Sequence, residues 1–176
     1  MMTPIDIDGR LAQGWGGSTP NGTHVNVLLA QRGSATAATI MTAFTSPAPG
    51  FTPILACLGP DQASYVTLNP PTVIVSKTEA LTELQQTLVS GGAQVGIAQG
   101  VLDAVADGVV EPDQETIILV SLWIDPAAED ETKVRTASRE ATAHAVREAV
   151  TGRSDEERHA LVNQRDHLTH PFYGGN

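Results

Sequence analysis

The stretch GTHVNVLLAQRGS, residues 22–34, combines the pattern of a strand with the start of a helix. Every second residue in its first part is apolar, namely Val25, Val27 and Leu29. This alternation predicts a strand with one buried face, which places His24 and Asn26 together on the other face. An Arg-Gly-Ser turn follows, and Ser34 is a favourable N-cap for a helix over residues 35–44. A strand end of this kind brings backbone amides and a cation together, where an anionic or carbonyl group can dock.

Three further strands are predicted, at residues 51–58, 72–76 and 116–124. The first and last of them are mostly apolar, which is typical of strands covered on both faces. The run at residues 116–124 is the most continuous and is expected to lie at the centre of the sheet. Residues 1–20 are predicted to form an irregular N-terminal arm, because glycines and polar residues dominate a loop over residues 9–22. A first strand over residues 1–7 is the alternative.

Four more helices are expected between and after these strands. The first begins at a capping box formed by Ser76 and Glu79 and ends at the glycine pair of residues 91–92. The others are expected over residues 93–107, from the Asp125-Pro126 break to about residue 150, and after a second capping box at Ser154. A polar tail follows at residues 164–176. The pattern predicts one α+β domain over residues 1–176, with helices packed on one face of a mixed or mostly antiparallel sheet.

The composition argues against several classes of partner. The chain has 176 residues with 20 acidic and 10 basic side chains, giving a formal net charge of −10. Such a charge repels nucleic acids and anionic lipid surfaces, so neither is expected as a partner. The longest apolar run, residues 117–124, is too short to span a bilayer, and a soluble, cytoplasmic protein is expected. The single Cys57 is expected to be a small buried residue.

Most of the familiar chemical motifs find no support in the sequence. The glycines around Trp15 follow no strand and do not form a dinucleotide fingerprint, and no serine has the Gly-x-Ser-x-Gly context of a hydrolase. Three histidines near the C-terminus lack the carboxylate pattern that would complete a metal site: His159, His167 and His170. Composition alone favours a solvated surface lysine at Lys77, but this residue stands at the end of a predicted strand, where sites are commonly built. His24 alone is a weak signal, since a single strand histidine is more often structural or exposed.

A series of short motifs follows one another along the chain in a distinctive order. They are the strand around His24, Arg32-Gly33-Ser34, Gly50-Phe51-Thr52 with Leu55, the strand ending in Lys77, Gly92-Ala93-Gln94, Asp103 to Gly108, Ala128-Glu129-Asp130, Arg147 to Val150 with Gly152, and His170-Pro171-Phe172. Each motif is weak by itself. Their shared order and spacing, over nearly the whole chain after residue 9, resemble the formaldehyde-activating enzyme family of methylotrophs and methanogens.

The resemblance implies a fold, an activity and a set of site residues. It implies a lyase that joins formaldehyde to tetrahydromethanopterin, or a related reduced pterin, as co-substrate. The products are the methylene-bridged pterin and water, and no metal is implied. It implies His24 as the general acid and Leu55, Lys77 and Gln94 as pterin contacts. The implied fold is a two-layer α/β sandwich with a left-handed β-α-β crossover, like domain 2 of a ribosomal protein. The implied assembly is a homo-oligomer, a ring of five with sites between neighbouring subunits.

Two positions of the expected substrate site depart from the family pattern. Asn26 stands where the family usually has Asp, and Glu79 stands where it commonly has Thr. Losing the hydroxyl of a carbinolamine as water requires a proton, which an imidazole titrating near neutrality can give, but Asn26 offers no negative charge to support an imidazolium. An alternative is therefore a non-catalytic oligomer that binds a pterin or another small ligand, or senses an aldehyde. A third possibility makes His24 only a packed or surface strand residue.

Overall fold

The computed structural model of the chain describes residues 6–49 and 51–175, so residues 1–5 of the predicted arm, Gly50 and Asn176 of the predicted tail lie outside it. The strands in chain order are β1 (Leu11–Gly16), β2 (Thr23–Gln31), β3 (Ile54–Leu55), β4 (Cys57–Leu58), β5 (Val66–Thr67), β6 (Thr72–Ser76) and β7 (Thr116–Ile124). One mixed sheet has the order β1-β2-β7-β6-β3, in which β6 and β7 are parallel and the other neighbours antiparallel. β7 is central, as its apolar sequence predicts.

The helices lie mainly on one side of this sheet. They are α1 (Ala35–Thr45), α2 (Glu83–Thr87), α3 (Gln94–Ala106), α4 (Glu131–Thr151) and α5 (Asp155–Asn163). The chain from β6 to the parallel strand β7 passes through α2 and α3, and α3 packs along α4. The predicted two-layer α+β arrangement on a mixed sheet is confirmed. Among the described residues, no helix is both long and apolar enough to cross a membrane.

The main core lies between the sheet and the α3–α4 layer. The alternating residues of β2 predicted to face inward are fully buried in this core: Val25, Val27 and Leu29. Ile118, Val120 and Leu122 of β7 are fully buried with them. α4 approaches β1 especially closely. A Cβ atom added at Gly14 or Gly16 would stand 1.9 Å from the carbonyl oxygen of Ala141 or Ala137. Glycine at these two positions therefore allows the helix to lie directly on the strand.

The opposite face of the sheet is divided into two halves. α1 covers the half near the end of β2, where Ala37 and Ile40 pack against Ala30, Val73 and Ile117. The start of α1 is as predicted, because the Ser34 Oγ accepts a hydrogen bond from the Ala37 amide at 3.0 Å. The other half carries His24 and its neighbours, so α1 leaves this part of the sheet open for a site.

The prediction of a loop and irregular arm is wrong for residues 11–16, which form the edge strand β1. These residues pair with β2 along their whole length, from Leu11 opposite Leu28 to Gly16 opposite Thr23. Their glycines are typical of loops in an isolated sequence. In the fold the same glycines face α4, so the strand depends on a tertiary contact.

Residues 51–58 do not form the single strand, buried on both faces, that their composition predicts. β3 pairs with β6 at the edge of the sheet, and Leu55 is 40% exposed. After the buried Ala56 the chain leaves the main sheet, and β4 pairs with β5 in a separate two-stranded ribbon. Cys57 lies in that ribbon and is half-buried, not buried as expected.

The helical segment after β6 differs from its prediction at both ends. Ser76 is the last residue of β6 and its Oγ donates to the Thr78 carbonyl, so Ser76 and Glu79 form no capping box. Thr82 caps α2 instead, paired with Gln85 at the same spacing. The glycine pair at residues 91–92 does not end the helix, because the chain continues through a π-helical turn, Leu88–Ala93, into α3.

Candidate functional site

His24 lies in the middle of three strands on the open half of the sheet. Trp15 of β1 and Trp123 of β7 are its direct cross-strand partners, so all three side chains point to the same face. The ring centroids of Trp15 and His24 are 5.6 Å apart, and those of the two tryptophans are 5.5 Å apart. The Trp15 indole therefore contacts both the imidazole and the indole of Trp123.

Both ring nitrogens of His24 have hydrogen-bond partners. The Lys77 Nζ lies 2.7 Å from Nδ1, and the Gln13 Oε1 lies 3.0 Å from Nε2. An ammonium can only donate and an amide oxygen can only accept. Nδ1 therefore accepts from Lys77, and Nε2 carries the hydrogen that it donates to Gln13. This arrangement selects the neutral imidazole with its hydrogen on Nε2.

The electrostatic environment also favours the neutral imidazole. Partial burial lowers the pKa of His24 below its ordinary value of 6.5, and electrostatic repulsion from the neighbouring Lys77 and His170 lowers it further. Burial likewise lowers the pKa of Lys77 below 10.5. Both shifts have the sign expected of basic groups taken partly out of water. The two bases thus share a region that disfavours a second positive charge.

A cavity of about 420 Å³ opens beside these groups. Its wall consists of Gln13, Trp15, His24, Lys77, Trp123, His170, Pro171 and Phe172. The last three come from the C-terminal tail, where the Phe172 ring packs edge-on against Trp123 at a centroid distance of 5.7 Å. The volume lies within the range of roughly 300–1,000 Å³ that is usual for small-molecule sites. We call this the His24 cavity.

Of the six predicted site residues, the structure brings His24 and Lys77 together. Lys77 reaches the site because its backbone N–H donates to the Leu122 carbonyl at 2.6 Å, which continues the pairing of β6 with β7. Asn26 is exposed on the same face, opposite Gln13 on β1, and it borders a neighbouring cavity.

The other three predicted residues lie elsewhere within this one chain. Glu79 lines a separate cavity of about 230 Å³ beside Asp125. Leu55 lies at the far edge of the sheet, in a cavity of about 440 Å³. The Gln94 side chain bonds to backbone, since its Oε1 accepts from the Cys57 amide at 3.1 Å and its Nε2 donates to the Ser90 carbonyl at 2.5 Å.

Sequence reasoning did not assign six of the eight wall residues to the site: Gln13, Trp15 and Trp123 of the sheet, and His170, Pro171 and Phe172 of the tail. Gln13 and Trp15 lie on β1, which resembles a loop in sequence, and Trp123 lies in an apolar run that predicts burial alone. The sequence did offer one signal for these wall residues, because the chain has only two tryptophans. In the structure both of them lie opposite His24. Within residues 6–49 and 51–175, no group of three or more His, Cys, Asp and Glu side chains is placed to hold a metal ion.

Comparisons with known proteins find relatives that match most of the chain. The family model described as formaldehyde-activating enzyme (Fae) matches residues 14–173. The chain is 35% identical over 158 residues to the 5,6,7,8-tetrahydromethanopterin hydro-lyase of Methanosarcina barkeri, which covers 89% of this chain and 85% of that protein. It is 28% identical over 160 residues to the bifunctional enzyme Fae/Hps of Methanothrix thermoacetophila and 29% identical over 153 residues to that of Archaeoglobus fulgidus. These matches cover 90% and 86% of this chain but only 39% and 37% of the two bifunctional proteins.

Proposed function

Because this chain belongs to the formaldehyde-activating enzyme family, we propose that it is a lyase that condenses formaldehyde with tetrahydromethanopterin to give the methylene-bridged pterin and water. The family resemblance inferred from the sequence motifs is thereby confirmed. The observation that best supports the activity is the contact between His24 and Lys77 in an open cavity. The condensation of a small aldehyde with an amine needs proton transfer, which positioned basic groups can provide.

The proposed reaction has two stages, and both need proton transfer. A ring amine of the pterin adds to formaldehyde to give a carbinolamine, whose hydroxyl then leaves as water with one added proton. A second amine closes the methylene bridge and releases a proton. His24 faces the cavity and is the group proposed to give and take these protons. Holding both reactants side by side lowers the entropic part of the barrier.

We further propose that a second copy of the chain completes the site. Leu55 and Gln94 lie far from the His24 cavity within one chain, which fits the site between subunits that the resemblance implies. An exposed apolar group near Leu55, formed with Met41 and Phe44, offers a surface for such a contact.

The activity is tested by the rate of methylene-pterin formation above the spontaneous rate, with tetrahydromethanopterin and tetrahydrofolate in parallel. The His24→Ala variant is expected to lose roughly 10²-fold or more, the usual contribution of a positioned acid or base. His159→Ala is a matched control, because His159 is exposed on α5, outside the cavity wall. A wild-type rate equal to the spontaneous rate with both carriers would refute the proposed lyase.

One observation favours a second function, a non-catalytic oligomer that binds a pterin or senses an aldehyde. The amides of Gln13 and Asn26 are neutral, and the pKa of His24 is lowered, so an imidazolium has little support. Replacing Asn26 by Asp and Glu79 by Thr distinguishes the two functions. A rise in rate indicates a weakened enzyme, whereas an unchanged zero rate with ligand binding indicates the non-catalytic protein.

A further inference from the structure

Three side chains form a hydrogen-bonded row across the sheet at the His24 cavity. Lys77 at the end of β6 lies 2.7 Å from His24 Nδ1, and Gln13 on β1 lies 3.0 Å from Nε2. The imidazole is thus the middle member of a row with a cation at one end and an amide at the other. Such a row can pass a proton through the ring, since one nitrogen receives a proton as the other gives one.

We propose that the Lys77 ammonium supplies the catalytic proton through a neutral His24 imidazole, and that Gln13 holds the ring in the tautomer that this transfer requires. The proposal rests on the lyase function proposed above and assigns that site a proton source. His24 touches the reacting hydroxyl, whereas Lys77 and Gln13 act through His24.

The groups that face His24 make an imidazolium an unfavourable proton donor. They are Gln13 and Trp15 from β1, Asn26 from β2, Trp123 from β7, Lys77 from the end of β6 and His170 from the tail. None of these described neighbours is a carboxylate, and Glu79 lines a separate cavity. A proton added at Nδ1 would place two positive charges 2.7 Å apart. The ordinary form of a general-acid histidine is therefore disfavoured here.

The proposed transfer balances in charge and atoms during water loss. The carbinolamine hydroxyl takes the place of Gln13 Oε1 as the acceptor at Nε2. It receives the Nε2 hydrogen as its C–O bond breaks and the nitrogen lone pair forms the C=N bond. Nδ1 takes a proton from Lys77 in the same step. The products are water, an iminium cation, a neutral lysine amine and an imidazole with its hydrogen on Nδ1. The single positive charge moves from Lys77 to the iminium.

The second stage restores the starting state. The other amine of the carrier attacks the iminium carbon and forms the second C–N bond. Its proton passes to Nε2, while Nδ1 returns a proton to the Lys77 amine. The pair ends with the ammonium and the original tautomer. This matches the overall condensation, which neither consumes nor releases a proton.

The pH dependence distinguishes this relay from an imidazolium acid. The relay needs neutral His24 and protonated Lys77, so the rate above background is expected to rise with pH through the pKa of His24. At higher pH the rate is expected to stay constant and then to fall as pH rises through the pKa of Lys77. Both pKa values are lowered, so both limbs lie below the ordinary values of 6.5 and 10.5. An imidazolium acid would instead lose activity as pH rises through the pKa of His24.

Two substitutions at Lys77 distinguish the effect of its transferable proton from the effect of its positive charge. Arginine keeps a positive donor beside Nδ1, but a guanidinium does not release its proton in proteins. Lys77→Arg is therefore expected to lose roughly 10²-fold in rate, as is Lys77→Met. Lys133→Arg, at an exposed lysine on α4, is the control and is expected to keep the wild-type rate. A Lys77→Arg rate equal to wild type would overturn the relay while leaving the lyase intact.

A measurement without substrate keeps the relay testable if these variants fold poorly or the lyase activity is absent. Nitrogen-15 NMR of the wild-type protein reports the tautomer and the pKa of His24. We expect a neutral ring with hydrogen on Nε2 at pH 7, and a higher pKa in Lys77→Met because a nearby cation is removed. An imidazolium, or a hydrogen on Nδ1, would overturn the relay. Absent catalysis with the expected spectrum would refute only the proposed reaction.

Discussion

At the scale of single residues, the amide of Gln13 sets the chemical state of the site. Its Oε1 accepts from His24 Nε2 and carries no charge, so the imidazole has a fixed tautomer without a counter-ion. The sequence predicts His24 as a site residue, and its face on the strand follows from the alternation of β2. Its two hydrogen-bond partners come from β1 and from the end of β6, so strand pairing determines the protonation state of the ring.

Gln13→Glu is expected to raise the pKa of His24, because a carboxylate about 3 Å from Nε2 favours the imidazolium. The rate above background should then fall as pH rises through the new pKa of His24. In the wild-type protein the rate is expected to rise with pH through the pKa of His24. An NMR titration of His24 together with a pH profile measures both effects. Gln86→Glu adds the same charge at an exposed residue of α2 and is expected to change neither. An unchanged His24 pKa in Gln13→Glu would contradict the assigned role of Gln13.

At the scale of elements, the sequence predicts correctly those strands and helices whose own hydrophobic pattern defines their secondary structure. β2, β6 and β7 alternate or run apolar, and α4 carries a stripe of small buried residues. β1 is missed because its identity depends on two partners: β2, which pairs with it, and α4, which requires its glycines. With β1 missed, two of the eight residues of the His24 cavity wall, Gln13 and Trp15, could not be predicted.

The helix start near residue 80 shows a second limit of local signals. Ser76–Glu79 and Thr82–Gln85 have the same spacing, and each is a plausible capping box. The Lys77 amide bonds to the Leu122 carbonyl of β7, which keeps the chain extended past Ser76. The long-range hydrogen bond between Lys77 and Leu122 therefore determines which of the two possible capping boxes forms. The same bond holds Lys77 beside His24.

Gly14→Ala tests the contact between β1 and α4. Its Cβ would stand 1.9 Å from the Ala141 carbonyl oxygen, so the helix must move away from the strand. We expect a loss of about 1–3 kcal/mol in the free energy of unfolding, as is usual for overpacking. Chemical denaturation measures this loss. Gly174→Ala, where an added Cβ meets no atom within 4 Å, is the control and is expected to stay within about 0.5 kcal/mol of wild type. A Gly14→Ala protein as stable as the control would contradict this packing.

At the scale of the whole molecule, the predicted site residues are divided among separate regions of one chain. His24 and Lys77 meet, whereas Leu55, Glu79 and Gln94 lie in or beside other regions. The sequence motifs identify the family correctly, because a family signature records residues that act together whether or not they share a subunit. The same signature says nothing of distances within one chain.

Leu55→Asp is expected to lower the molar mass in solution, measured by light scattering, if the apolar surface around Leu55 joins two copies. A charge buried in such an interface is costly, whereas an exposed position of one free chain tolerates it. Leu81→Asp is the control, since Leu81 is a strongly exposed leucine in the loop before α2. A wild-type protein that is already monomeric, or a Leu55→Asp protein with the wild-type mass, would refute an interface at this surface.

The two tryptophans of the chain, Trp15 and Trp123, both stand in the wall of the His24 cavity. Their ring centroids lie 5.5 Å apart, and the Trp123 ring packs against Phe172 of the tail. The intrinsic fluorescence of the protein therefore originates at the very place where a ligand is expected to enter. An absorbing heterocycle bound there would quench nearly all of the tryptophan emission by energy transfer, so the unlabelled protein is an optical sensor for its own occupancy.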